Sequence, residues 1–239
     1  MPRTAAVFFD VDFTLIHPGP RFQGVGYQAS CARYGIRVDA ARFDHAVAGA
    51  SGMLESEDHL YDDALFVGYT RRIIELMGGS GPAVETVARE IYDDWAEHRH
   101  FELYDDVLEA LTGLRSLGMR LGLISNSHRP LESFEAYFAL EGLIDVKVSS
   151  YDHGFMKPHP SIFQAALREM QVPASEAAMV GDSLPHDVVG ARQVGMRPIL
   201  LSRGTPTVVP VLPIPTDDGV SVIRSLVELP ELLSPGPAR

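Results

Sequence analysis

The sequence lacks several features that define whole classes of protein. Its single cysteine, Cys31, among 239 residues cannot form an internal disulfide, which fits a reducing compartment. No run of about 18 apolar residues occurs, so we expect no transmembrane helix. The apolar stretch at residues 5–9 stops at Asp10, too early for the apolar region of a signal peptide. We therefore expect a cytoplasmic protein.

Positive charge is also scarce. Lys and Arg together number 20 against 32 Asp and Glu, which gives a formal net charge of −12. Such a chain repels phosphate backbones and anionic bilayers on average, so neither nucleic acid nor a membrane is an expected partner. A small phosphorylated metabolite is still compatible, because a lysine or a metal ion can reverse the field at one site. Only Lys147 and Lys157 are lysines. Codon bias is the main explanation, but a lysine kept against that bias can mark a place that needs a compact ammonium.

The chain contains a regular alternation of apolar strands and amphipathic helices. Residues 5–9 are short, apolar and β-prone, as in a parallel strand buried on both faces. Further strands are predicted at 119–124, 144–149, 177–180, 198–201 and 220–223, and helices at 130–140, 160–170, 185–194 and 225–233. This alternation predicts an α/β fold with a doubly wound, Rossmann-like parallel sheet.

One further core helix is predicted after residue 103. Asp105 is its expected cap, and Gly118 its expected end. The side chains expected to face the core are Val107, Leu108, Leu111 and Leu114.

About ninety residues separate the first strand from the rest of this pattern, too many for one crossover connection. Helices are predicted near 22–34, 39–50, 59–77 and 82–99, with a glycine-rich break at 78–82. We therefore expect residues 1–16 and 101–239 to form the core domain. Residues 17–100 are expected to form an all-helical cap over the sheet edge. The proline- and threonine-rich segment 202–218 is expected to be a loop.

Two carboxylates follow the first predicted strand directly, in the segment Asp10-Val11-Asp12. Side chains at i and i+2 of an extended chain point to the same side. Their repulsion calls for a cation between them or a shared proton. This pattern fits a nucleophile with a neighbouring acid–base, but on its own it fits a turn that caps the next helix more simply.

Two more polar segments follow later strands. Ser125-Asn126-Ser127 offers a hydroxyl and backbone N–H groups that suit a phosphate, although an ordinary helix cap has the same composition. Lys157 lies between a strand and a helix, where its ammonium could contact a phosphoryl oxygen. A solvated surface position is the commoner fate of a lysine.

The fourth segment, residues 181–187, is the most specific. Asp182 and Asp187 supply the hard oxygen ligands that Mg²⁺ prefers, beside Gly181, which lets the backbone pass close. Gly190 follows about one turn later. The alternative is a capped helix start that holds no metal.

The order of these four segments, each at the end of a different strand, resembles the haloacid dehalogenase superfamily. Within it, the chain resembles the phosphatases whose helical cap is inserted after the first motif. The resemblance implies that Asp10 is the nucleophile and a Mg²⁺ ligand. It implies that Asp12 is the acid–base, with its backbone carbonyl on the metal, and that Lys157 screens Asp10 and the phosphoryl group. The other implied roles are phosphoryl binding by Thr14, Ser125 and Asn126, direct Mg²⁺ binding by Asp182, and binding through water or orientation of its neighbours by Asp187.

Position 13 departs from the family pattern, because Phe13 stands where many relatives have glycine. Asp12 favours a phosphatase, since the dehalogenase branch lacks a carboxylate there. We therefore predict a Mg²⁺-dependent phosphohydrolase that acts on a small phosphomonoester through an aspartyl-phosphate, as a monomer or homodimer. A phosphotransferase or mutase, and a phospho-binding module without turnover, are the alternatives.

Overall fold

The computed structural model describes residues 4–54, 59–204 and 219–234. Most of the loop predicted at 202–218 lies outside these residues. The described chain divides into two compact units. One contains residues 4–17, 103–204 and 219–234, and the other contains residues 18–54 and 59–102.

Six parallel strands form the sheet of the first unit. The strands in chain order are β1 (Ala6–Phe9), β2 (Ile16–Pro18), β3 (Phe101–Leu103), β4 (Arg120–Ser125), β5 (Val146–Ser149), β6 (Ala177–Gly181), β7 (Arg197–Leu201) and β8 (Ser221–Ile223). The six-stranded sheet has the order β5-β4-β1-β6-β7-β8, and β2 and β3 form a separate two-stranded sheet. All the pairings in the larger sheet are parallel. The predicted parallel α/β sheet is confirmed.

The helices alternate with these strands. They are α1 (Gly24–Arg33), α2 (Phe43–Ala50), α3 (Asp63–Leu76), α4 (Val84–Asp94), α5 (Val107–Ser116), α6 (Leu131–Tyr137), α7 (Ser150–His153), α8 (Pro160–Met170), α9 (Val189–Val194) and α10 (Leu229–Leu233). Helices α1 to α4 lie between β1 and the later strands of the sheet, so the predicted helical insert is confirmed. No helix in the described segments combines the length and apolarity needed to cross a bilayer.

Burial in the first unit follows the predicted pattern of apolar residues. Every residue of β1 is buried, as expected for a central parallel strand. Helix α8 has the predicted bounds, and its inward side chains are those predicted: Ile162, Phe163, Ala166, Leu167 and Met170. Gly190 of α9 permits close helix packing, because a Cβ there would lie 2.4 Å from a ring carbon of Phe163.

Two details of α5 were predicted wrongly. The residue before the helix is Asp106, not Asp105, and the side chain of Asp106 does not cap the helix. Its carboxylate instead accepts bonds from Arg203, Ser225 and the backbone of Leu226. Leu108 is 53% exposed, whereas the other three predicted core residues of this helix are buried. Gly118 ends this region with a φ of +79°, as a left-handed cap requires.

Other boundaries differ because local capping competes with the helical pattern. The predicted helix at 185–194 is divided into a π-helical turn over Leu184–Val188 and α9. Helix α7 was not predicted. In the second unit, α3 begins at Asp63 and not near residue 59, because the Asp62 side chain accepts a bond from the Ala64 N–H and caps the helix there.

Candidate active site

Three neighbouring strands in the middle of the sheet, β4, β1 and β6, bring the polar motifs together. Asp10 follows β1, Ser125 is the last residue of β4, and Asp182 follows β6. After β1 the chain continues to β4 and β5 on one side, and then to β6, β7 and β8 on the other. In such a sheet, ligands bind where the strand order reverses, at the carboxyl ends of the strands.

Lys157 lies between two carboxylates at this edge. Its Nζ donates to Asp10 Oδ1 at 2.5 Å and to Asp187 Oδ1 at 2.7 Å. The lysine side chain is only 2% exposed. Burial alone would lower the pKa of Lys157, but the charges of Asp10 and Asp187 outweigh it and raise that pKa. The ammonium therefore stays charged.

Negative charge exceeds positive charge in this cluster. Asp10, Asp182 and Asp187 each have a carboxylate oxygen within 4.8 Å of the others. Burial raises the pKa of Asp10 despite the nearby ammonium. Burial, and then the charges of Asp10 and Asp187, raise the pKa of Asp182 well above its ordinary value. Hard oxygen donors that repel one another in this way fit a divalent cation such as Mg²⁺.

Thr14 joins the first motif to the last. Its hydroxyl lies 3.1 Å from Asp10 Oδ2 and 3.5 Å from Asp182 Oδ1, and it is buried. These contacts keep Thr14 beside both carboxylates, and its predicted binding of substrate stays a prediction.

The backbone around Asp187 depends on Gly181. A Cβ at residue 181 would lie 2.1 Å from Asp187 Oδ2, so no side chain fits there without moving the carboxylate. The same oxygen accepts a bond from the Ser183 N–H at 3.0 Å. The close backbone approach predicted for Gly181 is confirmed.

The residues of the second motif take two different positions. The Ser125 hydroxyl is fully buried and has no hydrogen-bond partner among the residues that the structure describes, which fits a group that bonds to an oxygen of a ligand. The Asn126 side chain is already bonded to the Lys157 backbone. Its Oδ1 accepts from the Lys157 N–H at 2.7 Å, and its Nδ2 donates to the Lys157 carbonyl at 3.0 Å. The predicted phosphoryl binding by Asn126 stays a prediction.

Asp12 lies apart from the three clustered carboxylates. Its side chain is 17% exposed and pairs with Arg129, whose Nη1 donates to Asp12 Oδ1 at 2.8 Å. Arg129 could not be predicted as a site residue, because it is one of eighteen arginines and no motif in the sequence distinguishes it from the others. Next to Asp12, Phe13 has a φ of +64°, a left-handed conformation that favours glycine. The loop therefore has, at Phe13, the left-handed backbone conformation that a glycine adopts easily.

Comparison with known protein families identifies the family to which the chain belongs. Residues 4–195 match the model of the haloacid dehalogenase-like hydrolase family. The chain belongs to this family. Family membership agrees with the resemblance found in the four motifs and with the helical insert after β1.

Three relatives of this hydrolase are informative. A haloacid dehalogenase-like hydrolase domain-containing protein 3 from Danio rerio is 30% identical over 237 residues, covering 95% of each chain. The protein of that name from Xenopus laevis is 36% identical over 123 residues, but the match covers 52% of this chain and 50%, about half, of the relative. A phosphoserine phosphatase from Thermus thermophilus is 29% identical and covers 83% of this chain and 88% of its own.

A solved structure shares the fold of this hydrolase. It is a HAD-hydrolase, YfnB, from Bacillus subtilis bound to magnesium. It has a TM-score of 0.73 and 19% sequence identity, and the match covers 98% of this chain and 100% of that one. At this identity the likeness shows the fold alone.

Proposed function

We propose that this hydrolase is a Mg²⁺-dependent phosphatase of small phosphomonoesters that forms an aspartyl-phosphate at Asp10. One observation carries the proposal. The Asp10 carboxylate contacts the buried Lys157 ammonium and lies beside Asp182 and Asp187 in one acidic cluster. The phosphatase name of the Thermus thermophilus relative supports the same class of substrate.

In the first step, an Asp10 oxygen attacks phosphorus while the bond from phosphorus to the leaving oxygen breaks. Asp12 gives its proton to the leaving oxygen, so the alcohol departs neutral. Lys157 neutralises charge on Asp10 and on the phosphoryl oxygens, and Ser125 donates its unpaired hydroxyl to one of them. The product is a mixed anhydride that water can open.

In the second step, water attacks the same phosphorus and Asp12 takes the proton that the water loses. The bond between phosphorus and Asp10 breaks, inorganic phosphate leaves, and the Asp10 carboxylate is restored. Asp10, Asp182 and Asp187, with the backbone carbonyl of Asp12, would hold Mg²⁺. When bound, the ion supplies charge neutralisation between the carboxylates and the phosphate.

We also propose that the two units have different tasks. All the motif residues belong to the first unit, and we assign the chemistry to the core domain expected from the sequence, residues 1–16 and 101–239. The helices over 17–100 carry none of them, and we assign this cap to the choice of substrate. The substrate is a small phosphorylated metabolite.

Phosphate release from a panel of phosphorylated metabolites, with Mg²⁺ or with EDTA, tests the proposal. We expect release with Mg²⁺ and none with EDTA. Turnover that needs an added sugar or alcohol acceptor would show a phosphotransferase instead. Binding of phosphorylated compounds without any turnover would show a phospho-binding module.

A further inference from the structure

Arg129 is an unusual residue for the interior of a protein. It is 1% exposed and is among the largest fully buried side chains in the described chain. Its guanidinium contacts Asp12, which lies 117 residues away in the sequence. A buried charge is strongly unfavourable unless a partner of opposite charge stays close to it. The two side chains are therefore held in one arrangement.

The loop after β4 gives Arg129 this position. Strand β4 pairs with β1 in parallel register, so the loops that follow the two strands lie side by side. Within the β4 loop, the buried Ser127 hydroxyl accepts a bond from the Arg129 N–H at 3.0 Å and makes a tight turn. The turn fixes the backbone from which the arginine side chain extends to Asp12.

The ion pair is asymmetric in its exposure. The Arg129 side chain is 0% exposed, whereas the Asp12 side chain is 17% exposed. The charge-assisted bond from the buried guanidinium anchors one oxygen of the Asp12 carboxylate, Oδ1, and so limits the positions that this carboxylate can take. The Asp12 carboxylate is thus partly accessible to solvent, and the buried Arg129 orients it.

We propose that Arg129 is a positioning residue that orients Asp12 for proton transfer to the leaving oxygen. The inference rests on the proposed function. In that function Asp12 Oδ1 keeps the bond from Arg129 while Oδ2 carries the proton, and this proton passes to the leaving oxygen as the bond from phosphorus to that oxygen breaks and the bond to Asp10 forms. Arg129 touches neither the substrate nor the reacting atoms in this scheme. Arg129 affects the rate only indirectly, because it determines where the Asp12 carboxylate lies.

Leaving-group dependence separates this role from a purely structural one. A weakly basic leaving oxygen, as in 4-nitrophenyl phosphate, needs little protonation, whereas the more basic oxygen of phenyl phosphate needs more. We expect Arg129→Met to lower kcat for phenyl phosphate at least tenfold more than for 4-nitrophenyl phosphate. KM should change less than kcat. Arg129→Lys keeps a cation and should fall between the wild type and Arg129→Met.

Two further variants sharpen the test. Arg115→Met removes an arginine from another ion pair of the same unit, with Asp145 at 2.6 Å, and should leave the ratio of the two rates unchanged. In an Asp12→Asn background, Arg129→Met should add no further difference between the two substrates, because the group that it orients is already gone.

An equal loss for both substrates in Arg129→Met and Arg129→Lys, with a lower Tm, would overturn the inference and leave the proposed function standing. If Arg129→Met does not fold, the Arg129→Lys ratio decides alone, and an unchanged ratio counts against the inference. Absence of Mg²⁺-dependent phosphate release by the wild type from every compound of the metabolite panel and from both aryl phosphates would overturn the proposed function, and this inference with it. If the wild type hydrolyses only compounds of the panel, two of them whose leaving oxygens differ in basicity replace the aryl phosphates.

Discussion

Two carboxylate clusters in the first unit differ in how their charge is balanced. Around Asp106, Arg203 donates to both carboxylate oxygens at 2.9 Å, and Ser225 and the Leu226 N–H donate as well. Burial would raise the pKa of Asp106, but these bonds outweigh it and lower the pKa. The protein itself satisfies this carboxylate.

Around Asp10 the balance is the opposite. Three carboxylates share one ammonium, and the pKa values of Asp10 and Asp182 are raised. The comparison shows that similar groups can stabilise a fold in one place and destabilise it in another. Surplus buried charge that the protein does not neutralise indicates a site that a cation and a substrate complete.

The largest expected effect is a loss of activity when the Asp10 cluster is changed. Asp10→Asn removes the proposed nucleophile, and we expect kcat to fall by about 10⁴-fold or more. Phosphate release under saturating Mg²⁺ measures it. The fold should persist, because the variant removes one of several repelling charges; circular dichroism and Tm check this. Activity that persists would show that another group attacks phosphorus.

The second prediction concerns stability. Asp106→Asn leaves the Arg203 guanidinium without its charged partner, and we expect a loss of about 2–3 kcal/mol in the free energy of unfolding. Urea denaturation measures the loss. Asp105→Asn is the matched control, because Asp105 is exposed and adjacent in the sequence. Equal effects of the two variants would contradict the role given to the Asp106 cluster.

Removal of the metal should expose the repulsion in the Asp10 cluster. With Mg²⁺ at a hundredfold excess over its Kd, we expect the wild type to gain about 2.7 kcal/mol of stability. Asp182→Asn should lose most of this gain. In EDTA, however, the same variant should have a higher Tm than the wild type, because one repelling carboxylate is gone. A lower Tm in EDTA would show that the cluster is already balanced.

The smallest expected effect is a change with pH. The pKa of Asp106 is lowered from its ordinary value of 3.8 in the folded protein. A lowered folded-state pKa contributes stability above the unfolded pKa, and that stability is lost as the pH falls through the folded value. The stability difference between the wild type and Asp106→Asn should therefore be constant near pH 7 and shrink below about pH 4. Unfolding at several pH values measures it.

Much of the fold could be predicted because its strands and helices follow regular patterns. The bounds of α8 were predicted correctly, since Pro160 begins the helix and its apolar residues recur with helical period. The π-helical turn at Leu184–Val188 could not be predicted, because it depends on the bonds that Ser183 makes with the residues that follow. The start of α5 was misplaced by one residue because Asp105 and Asp106 are adjacent aspartates, and aspartate is a preferred residue at the start of a helix.

In the candidate site, too, some features could be predicted from the sequence and others could not. Asp10, Ser125 and Asp182 could be found because each lies at the end of a strand or directly after it, and parallel strands bring such residues to one edge of the sheet. Lys157 does not directly follow a strand, because α7 lies between it and β5. The Arg129–Asp12 pair and the bonds from Asn126 to the Lys157 backbone join residues 117 and 31 positions apart. Contacts of this kind depend on tertiary packing, which no local pattern encodes.

The two lysines of the chain are very unequal in exposure, and this has a practical use. Lys147 is 15% exposed, whereas Lys157 is 2% exposed and bonded to two carboxylates. Lys147 is itself paired with Glu132 and Glu135, so an amine-acylating reagent should label it slowly, and Lys157 more slowly still, only when its surroundings loosen. Mass spectrometry of the labelled peptides would then record, in the unaltered protein, how often the surroundings of Lys157 and Asp10 open to solvent.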